Sequence, residues 1–147
     1  MEQLLKQELY NFLVDNNPDM IVRLQQEQGV NNYLDTKVNS ISSFLNELLE
    51  ENLPADEIEA QCMAVLTGEL RPSKYLYIKN LLETDFEKYY LQWREAGILT
   101  YEIINLITHC NEVFDQFGFS EQNEEDRLIS YAVLERINDY ILTSEHL

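Results

Sequence analysis

Residues 99–118 read LTYEIINLITHCNEVFDQFG and carry the clearest structural signal in the chain. Apolar side chains recur here every three or four positions, which is the spacing of one face of an α-helix. They are Leu99, Ile103, Leu106, Cys110, Val113 and Phe114 or Phe117. Gly118 follows directly, and glycine often closes helices because it tolerates the left-handed conformation. The stretch therefore predicts a helix over about residues 98–117.

Similar apolar stripes run through most of the remaining sequence. They predict helices over about residues 2–15, 18–28, 34–48, 56–66, 75–93 and 128–141. In the last of these, the inward set is Leu128, Val133, Leu134, Ile137 and Ile141. Only four Gly and three Pro occur, too few for a protein of many short strands. We expect an all-α fold, a compact bundle of six or seven amphipathic helices forming a single domain over residues 1–147.

The charge is strongly negative and unevenly placed. The chain has 27 acidic and 10 basic side chains, a net charge of −17. Seven acids and no base lie between Lys37 and Arg71, and eight acids and no Lys or Arg lie between Arg94 and Arg127. The stretch from Arg71 to Arg94 holds five of the ten bases. This pattern favours a basic protein partner and argues against direct nucleic-acid binding, which needs clustered Lys and Arg.

The sequence predicts a cytoplasmic protein. Residues 1–8 lack the basic and apolar regions of a secretory leader, and no apolar stretch approaches the ~20 residues that cross a bilayer. We therefore expect no membrane association. Cys62 and Cys110 lie 48 positions apart in apolar helical patterns, as expected of buried free thiols in a reducing compartment.

The residues typical of catalytic and cofactor sites are sparse, so we expect no enzyme activity, no metal and no cofactor. Of the two histidines, His109 has one nearby carboxylate, Glu112, which is half of a metal site at most. The other, His146, lies in a tail that we expect to fray. No two glycines are close enough to form a phosphate-binding loop.

One segment is a candidate site, Arg71 to Lys79, with the sequence RPSKYLYIK. A helix beginning near Ser73 would offer free backbone N–H groups close to several positive charges, which attracts anions. The candidate anion-binding or partner-binding residues are Arg71, Ser73, Lys74, Tyr75 and Lys79. The alternative interpretation is that these bases only neutralise neighbouring acidic helices.

Several short motifs resemble an uncharacterised family of small acidic all-helical proteins from Bacteroides-group bacteria. They are RPSKY at 71–75, LLE at 81–83, DF at 85–86, ELY at 8–10, FL at 12–13 and EVF at 112–114. Members of that family are associated with conjugative or other mobile elements. The resemblance implies a bacterial cytoplasm and a role near horizontally transferred DNA, and it brings no reaction, cofactor or catalytic residue.

Three functions follow from these observations. The first is a non-enzymatic acidic interaction protein that binds a basic protein, such as a DNA-binding protein of the same mobile element. The second is a self-associating structural helical module whose dimer interface would use exposed Tyr and Leu side chains of the segment 75–93. The sequence leaves open whether the protein is a monomer or a homodimer. The third is a domain that binds a small anion at residues 71–79. The sequence leaves open whether the aromatic side chains of 75–93 belong to the core or to an interface.

Overall fold

The computed structural model of the chain describes residues 1–145 and confirms the all-α class. No strand occurs within these residues. Nine α-helices and one short 3₁₀ helix follow one another along the described chain. They are α1 Glu2–Asn16, α2 Pro18–Gln26, α3 Val30–Ser40, α4 Ser42–Glu50, α5 Ala55–Leu66, the 3₁₀ helix Gly68–Leu70, α6 Lys74–Asp85, α7 Glu87–Glu95, α8 Leu99–Phe117 and α9 Arg127–Glu145. The expectation for His146 lies outside the described residues.

The predicted count of six or seven helices is wrong because two predicted segments are each divided. Ile41 separates α3 from α4 with φ −108° and ψ 14°, and Phe86 separates α6 from α7 with φ −134° and ψ 46°. Ile41 is buried and Phe86 is half-buried against the core. The apolar period therefore continues through each break, and periodicity alone predicts one helix where the backbone forms two.

The chain divides into two compact units, Met1–Arg71 and Pro72–Leu147. In the first, α1 packs against α2, α3 and α5. Its core centres on three fully buried leucines of α1, Leu5, Leu9 and Leu13. An ion pair of 2.8 Å between Lys6 Nζ and Asp35 Oδ1 joins α1 to α3. This division into units does not decide how many domains the chain forms, and the single domain over residues 1–147 stays a prediction.

In the second unit, α8 packs against α6, α7 and α9. The buried positions of α8 are Ile103, Leu106, Ile107, Cys110, Val113 and Phe114, which confirms most of the predicted stripe. Gly118 follows it with φ 59° and ψ 52°, the left-handed helix end that the sequence indicated.

The predicted inward face of α9 is partly wrong. The buried residues are Ile129, Val133, Ile137 and Ile141, spaced every four positions, whereas Leu128 is 64% exposed. Leu128 and Ile129 are adjacent apolar residues at the helix start, but only Ile129 lies four positions before Val133 and continues the buried spacing. The fully buried Ile129 takes the inward position, and Leu128 then points to solvent.

Both cysteines are free and fully buried, as predicted. Burial raises the pKa of the Cys110 thiol to about 12 and also raises the pKa of Cys62. Within residues 1–145, no helix combines the length and the apolar character that crossing a membrane requires.

Candidate functional site

Arg71, the first of the predicted site residues, is the last residue of the first unit. Its Nη2 donates to the carbonyl oxygen of Ala64 at 3.2 Å and its Nε to that of Thr67 at 3.4 Å. These carbonyls belong to the end of α5 and to its C-cap residue, where backbone acceptors lack helical partners and the helix dipole favours a cation. The guanidinium therefore has a structural role at this helix end.

Ser73 and Lys74 begin the second unit's first helix. The Ser73 Oγ accepts the backbone N–H of Leu76 at 3.0 Å, which makes it the N-cap of α6 as the sequence suggested. The Lys74 Nζ lies 3.4 Å from Asn111 Oδ1 and 5.3 Å from the centroid of the Phe114 ring. Lys74 thus contacts α8 and not the other predicted site residues.

Tyr75 and Lys79, two of the predicted site residues, lie close to each other. Tyr75 is only 6% exposed, and its hydroxyl lies 3.2 Å from Thr100 Oγ1. The Lys79 Nζ lies 5.9 Å from the centroid of the Tyr75 ring, in cation–π range. All five predicted residues thus have contacts within their own unit, and their binding of an anion stays a prediction.

The aromatic side chains of 75–93 contribute largely to the core of the second unit. Tyr75 and Tyr90 are buried, while Tyr77, Tyr89 and Trp93 are half-buried. The Tyr77 ring packs edge-on against Phe114 and Phe119, with centroids 5.8 and 4.9 Å away. These contacts leave little of the segment as a free aromatic surface.

Tyr77 nevertheless has an unusual environment for its hydroxyl. The oxygen is buried and has no hydrogen-bond partner in the part of the chain that the structure describes. Burial raises the pKa of Tyr77 to about 12, and the carboxylates of Glu125, Asp126 and Glu124 add to the shift. No sequence pattern indicates this arrangement.

The second base-free acidic stretch, between Arg94 and Arg127, uses several carboxylates within its own unit. Glu102 Oε2 accepts the Tyr140 hydroxyl at 2.6 Å, and Glu112 Oε2 lies 3.4 Å from Arg136 Nη2. Asp126 Oδ1 accepts the backbone N–H of Leu128 at 2.9 Å and helps to start α9. This stretch is acidic in sequence but only partly available to a partner.

The first base-free stretch, between Lys37 and Arg71, behaves differently. Its seventh carboxylate, Glu69, pairs with Lys37 at 2.9 Å, and the other six flank the turn between α4 and α5, two helices that pack against each other. We call this group the acidic hairpin: Glu47, Glu50, Glu51, Asp56, Glu57 and Glu59. Five of the six are exposed and Glu59 is half-buried. Across residues 1–145, none of the six side chains has an ion-pair or hydrogen-bond partner.

Two local features place these carboxylates together. Asn52 adopts the left-handed conformation with φ 57°, which asparagine tolerates better than most residues, and it turns the chain after α4. Pro54 then precedes α5, whose first turn contains Asp56 and Glu57, where the helix dipole favours anions. The result is a concentrated negative surface that attracts cationic groups.

The histidine and carboxylate groups do not assemble into a metal centre in the described structure. No group of three or more His, Cys, Asp or Glu side chains that could hold a metal occurs among residues 1–145. His109 is exposed and lies edge-on to Tyr140, with ring centroids 5.8 Å apart. Glu112, its predicted companion, is directed to Arg136 instead.

Comparison with known proteins adds no identification. No protein-family model, no curated protein and no solved structure matches the chain. The function is therefore argued from the geometry and charge of the chain itself.

Proposed function

We propose that this protein is a non-enzymatic interaction protein whose acidic hairpin binds a basic protein partner. The observation that carries the proposal is the set of six carboxylates on α4, on α5 and in the turn between them, which have no ion-pair partner within residues 1–145. Charged side chains are usually hydrated, so exposure alone is ordinary. Six of one sign on two adjacent helices and the turn that joins them, however, produce a local field that a cationic surface would relieve.

Electrostatics of this kind predict how the complex forms. Complementary charge accelerates encounter and selects partners more than it strengthens affinity. Because exposed charges are screened beyond ~8 Å at physiological ionic strength, the complex weakens as salt rises. The exposed Leu49 of α4, at 46%, adds an apolar contact beside the carboxylates.

The proposed partner is a protein, not a nucleic acid. The first unit has a net charge of −9 and the second −8, so phosphates are repelled by both. Given the resemblance to proteins of mobile elements, we propose a basic DNA-binding protein of the same element, met in a bacterial cytoplasm. In that complex the acidic hairpin would cover the partner's Lys and Arg side chains.

The test compares two variants with the same change in net charge. The first neutralises the hairpin through Glu47→Gln, Glu50→Gln, Asp56→Asn and Glu57→Gln. The matched control neutralises four exposed carboxylates of the second unit, through Glu83→Gln, Asp85→Asn, Glu87→Gln and Glu95→Gln. Each tagged protein is used to capture partners from a bacterial lysate at low salt, and the bound proteins are identified by mass spectrometry.

We expect wild type and control to recover the same basic protein, and the hairpin variant to lose it. Elution of that protein by about 0.5 M salt would agree with a screened charge contact. Recovery of no basic protein contradicts the proposal. Equal loss in both variants also contradicts it, because binding would then depend on total charge and not on the hairpin.

A further inference from the structure

The exposed side of α1 is uncharged between its two ends, where Glu2 and Asp15 are exposed, in a protein that is otherwise strongly acidic. Between positions 3 and 14, every exposed side chain of this helix is neutral: Gln3, Leu4, Gln7, Tyr10, Asn11 and Val14. Leu4 is 43%, Tyr10 38% and Val14 45% exposed, which is substantial for apolar side chains on one helix. The amides of Gln7 and Asn11 are hydrogen-bonded to each other at 3.0 Å.

The neighbouring helix α3 extends this surface. Its exposed side chains are Asn31, Asn32, Asp35, Thr36, Asn39 and Ser40. Asp35 is the one charged member, and the ion pair with Lys6 of α1 compensates it. A groove of about 600 Å³ lies between the two helices, lined by Gln3, Lys6, Gln7, Tyr10, Asn31, Leu34 and Asp35. We call the exposed sides of α1 and α3 with this groove the neutral face.

The neutral face and the net charge together indicate what binds there. A basic partner gains nothing from a surface without net charge, and it is drawn to the acidic surfaces instead. Two copies of the chain, by contrast, repel one another wherever acidic surfaces meet. Their Coulomb repulsion is lowest when neutral faces meet, and there the amides can pair while Leu4, Tyr10 and Val14 lose contact with water.

The spacing on α1 also suits contact between two copies of that helix. Gln3, Gln7, Tyr10 and Val14 follow one another at intervals of four, three and four residues, the spacing that packs one helix along another. We propose that the neutral face binds a second copy of this chain, with α1 lying along α1 of that copy. The neutral face and the acidic hairpin lie on different helices. The dimer proposed here therefore does not depend on the partner binding proposed for the acidic hairpin.

Light scattering and sedimentation equilibrium of the full-length protein test the proposal across concentration and salt. Because salt screens the repulsion between two copies of charge −17, we expect a dimer that becomes tighter from about 0.02 to about 0.5 M NaCl. Binding of a basic partner at the acidic hairpin should change in the opposite direction. The sign of the salt dependence therefore separates the two surfaces.

Substitution by lysine provides a second test. Gln7→Lys and Tyr10→Lys reduce the net negative charge, so overall repulsion alone would predict tighter association. Burial of an unpaired ammonium at the neutral face predicts the reverse, a dimer weaker by about tenfold or more. The control is Tyr131→Lys on α9, where the side chain is 61% exposed and the charge change is the same. It should leave dimerisation intact, and circular dichroism checks that each variant keeps its helices.

Three results would overturn the proposal. The first is a strict monomer up to about 1 mM protein at the higher salt concentration. The second is a dimer that Gln7→Lys and Tyr10→Lys do not weaken. The third is a dimer that Tyr131→Lys weakens as much, because the contact would then lie on α9.

Discussion

Two partly buried tyrosines in the second unit differ in one respect, the presence of a hydrogen-bond partner. The Tyr140 hydroxyl donates to Glu102 at 2.6 Å, whereas the buried Tyr77 oxygen has no partner within the described residues. Removal of a hydroxyl that bonds a carboxylate should lower the free energy of unfolding by about 1–2 kcal/mol. Removal of an unpartnered hydroxyl should be neutral or stabilising, since no bond is lost. Urea denaturation of Tyr140→Phe and Tyr77→Phe measures the difference.

The two variants serve as controls for each other because each removes one oxygen from a ring that stays in place. Equal destabilisation would contradict the expectation and would indicate that Tyr77 has a partner in solution. Tyr131→Phe, at an exposed position, gives the background value for losing a tyrosine hydroxyl.

The same tyrosines predict a loss of stability at alkaline pH. Burial, with the hydrogen bond to Glu102 as a further cause, raises the pKa of Tyr140 from 10.0 to about 12, and the pKa of Tyr77 is raised to the same value. Below pH 10 the folded and unfolded chains both keep these tyrosine protons, so the tyrosines leave stability unchanged there. The buried Cys110 thiol, whose pKa is raised from 9.0 to about 12, already lowers stability from about pH 9. Between pH 10 and about 12 the unfolded chain loses them first, so the free energy of unfolding falls as pH rises.

Chemical denaturation at a series of pH values measures this decline. Tyr140→Phe should make it shallower, because one of the groups with a raised pKa is absent while Tyr77, Tyr33 and Cys110 remain. Tyr131→Phe should leave the decline unchanged. A decline with the same slope in Tyr140→Phe would contradict the role assigned to this tyrosine.

At the scale of a helix, Ser73 has a capping role in α6. Its Oγ accepts the N–H of Leu76 at 3.0 Å, and loss of such a cap costs about 1 kcal/mol. We expect Ser73→Ala to lower the free energy of unfolding by this amount, and Ser73→Asp to retain it because aspartate caps equally well. Thermal and urea unfolding measure both variants. If Ser73→Asp were as unstable as Ser73→Ala, the hydrogen bond would not be the source of the effect.

The elements show what the sequence can predict and where it fails. The apolar stripe of residues 99–117 predicted almost the whole of α8, because a long apolar period that ends at Gly118 is typical of a single helix. The breaks at Ile41 and Phe86 escaped prediction because both residues face the core and keep the period intact. At the start of α9 the prediction took Leu128, although the adjacent Ile129 continues the four-residue spacing of Val133 and Ile137.

At the scale of the whole molecule, the sequence located the acidic stretches but not which carboxylates have partners. Glu102 and Tyr140 are 38 positions apart, and Lys37 and Glu69 are 32 apart. Such pairs depend on how the helices pack, and a count of charges along the sequence carries no information about packing. The neutral face was missed for the same reason, since α1 and α3 adjoin only after folding. Lys74 of the predicted basic segment is a further example, because folding brings its Nζ close to Asn111 of α8.

The overall charge makes a final prediction about stability in salt. Both units are strongly negative, at −9 and −8, so folding brings like charges together at a cost that screening reduces. Screening also weakens the attraction within ion pairs, but this loss of stability is smaller than the gain from reduced repulsion. Ion pairs such as Arg136 with Glu112, whose side chain is 80% exposed, contribute at most about 1 kcal/mol each. We therefore expect the melting temperature to rise from about 0.02 to about 0.5 M NaCl.

Thermal unfolding followed by circular dichroism tests this in dilute protein, where self-association does not contribute. The variant with four neutralised hairpin carboxylates should begin at a higher melting temperature and respond less to salt, because part of the repulsion is already removed. Gln7→Lys should respond almost as wild type does, since it adds a single charge on the neutral face. A melting temperature that falls with salt would contradict this expectation, because attractive ion pairs would then outweigh repulsion in the folded protein.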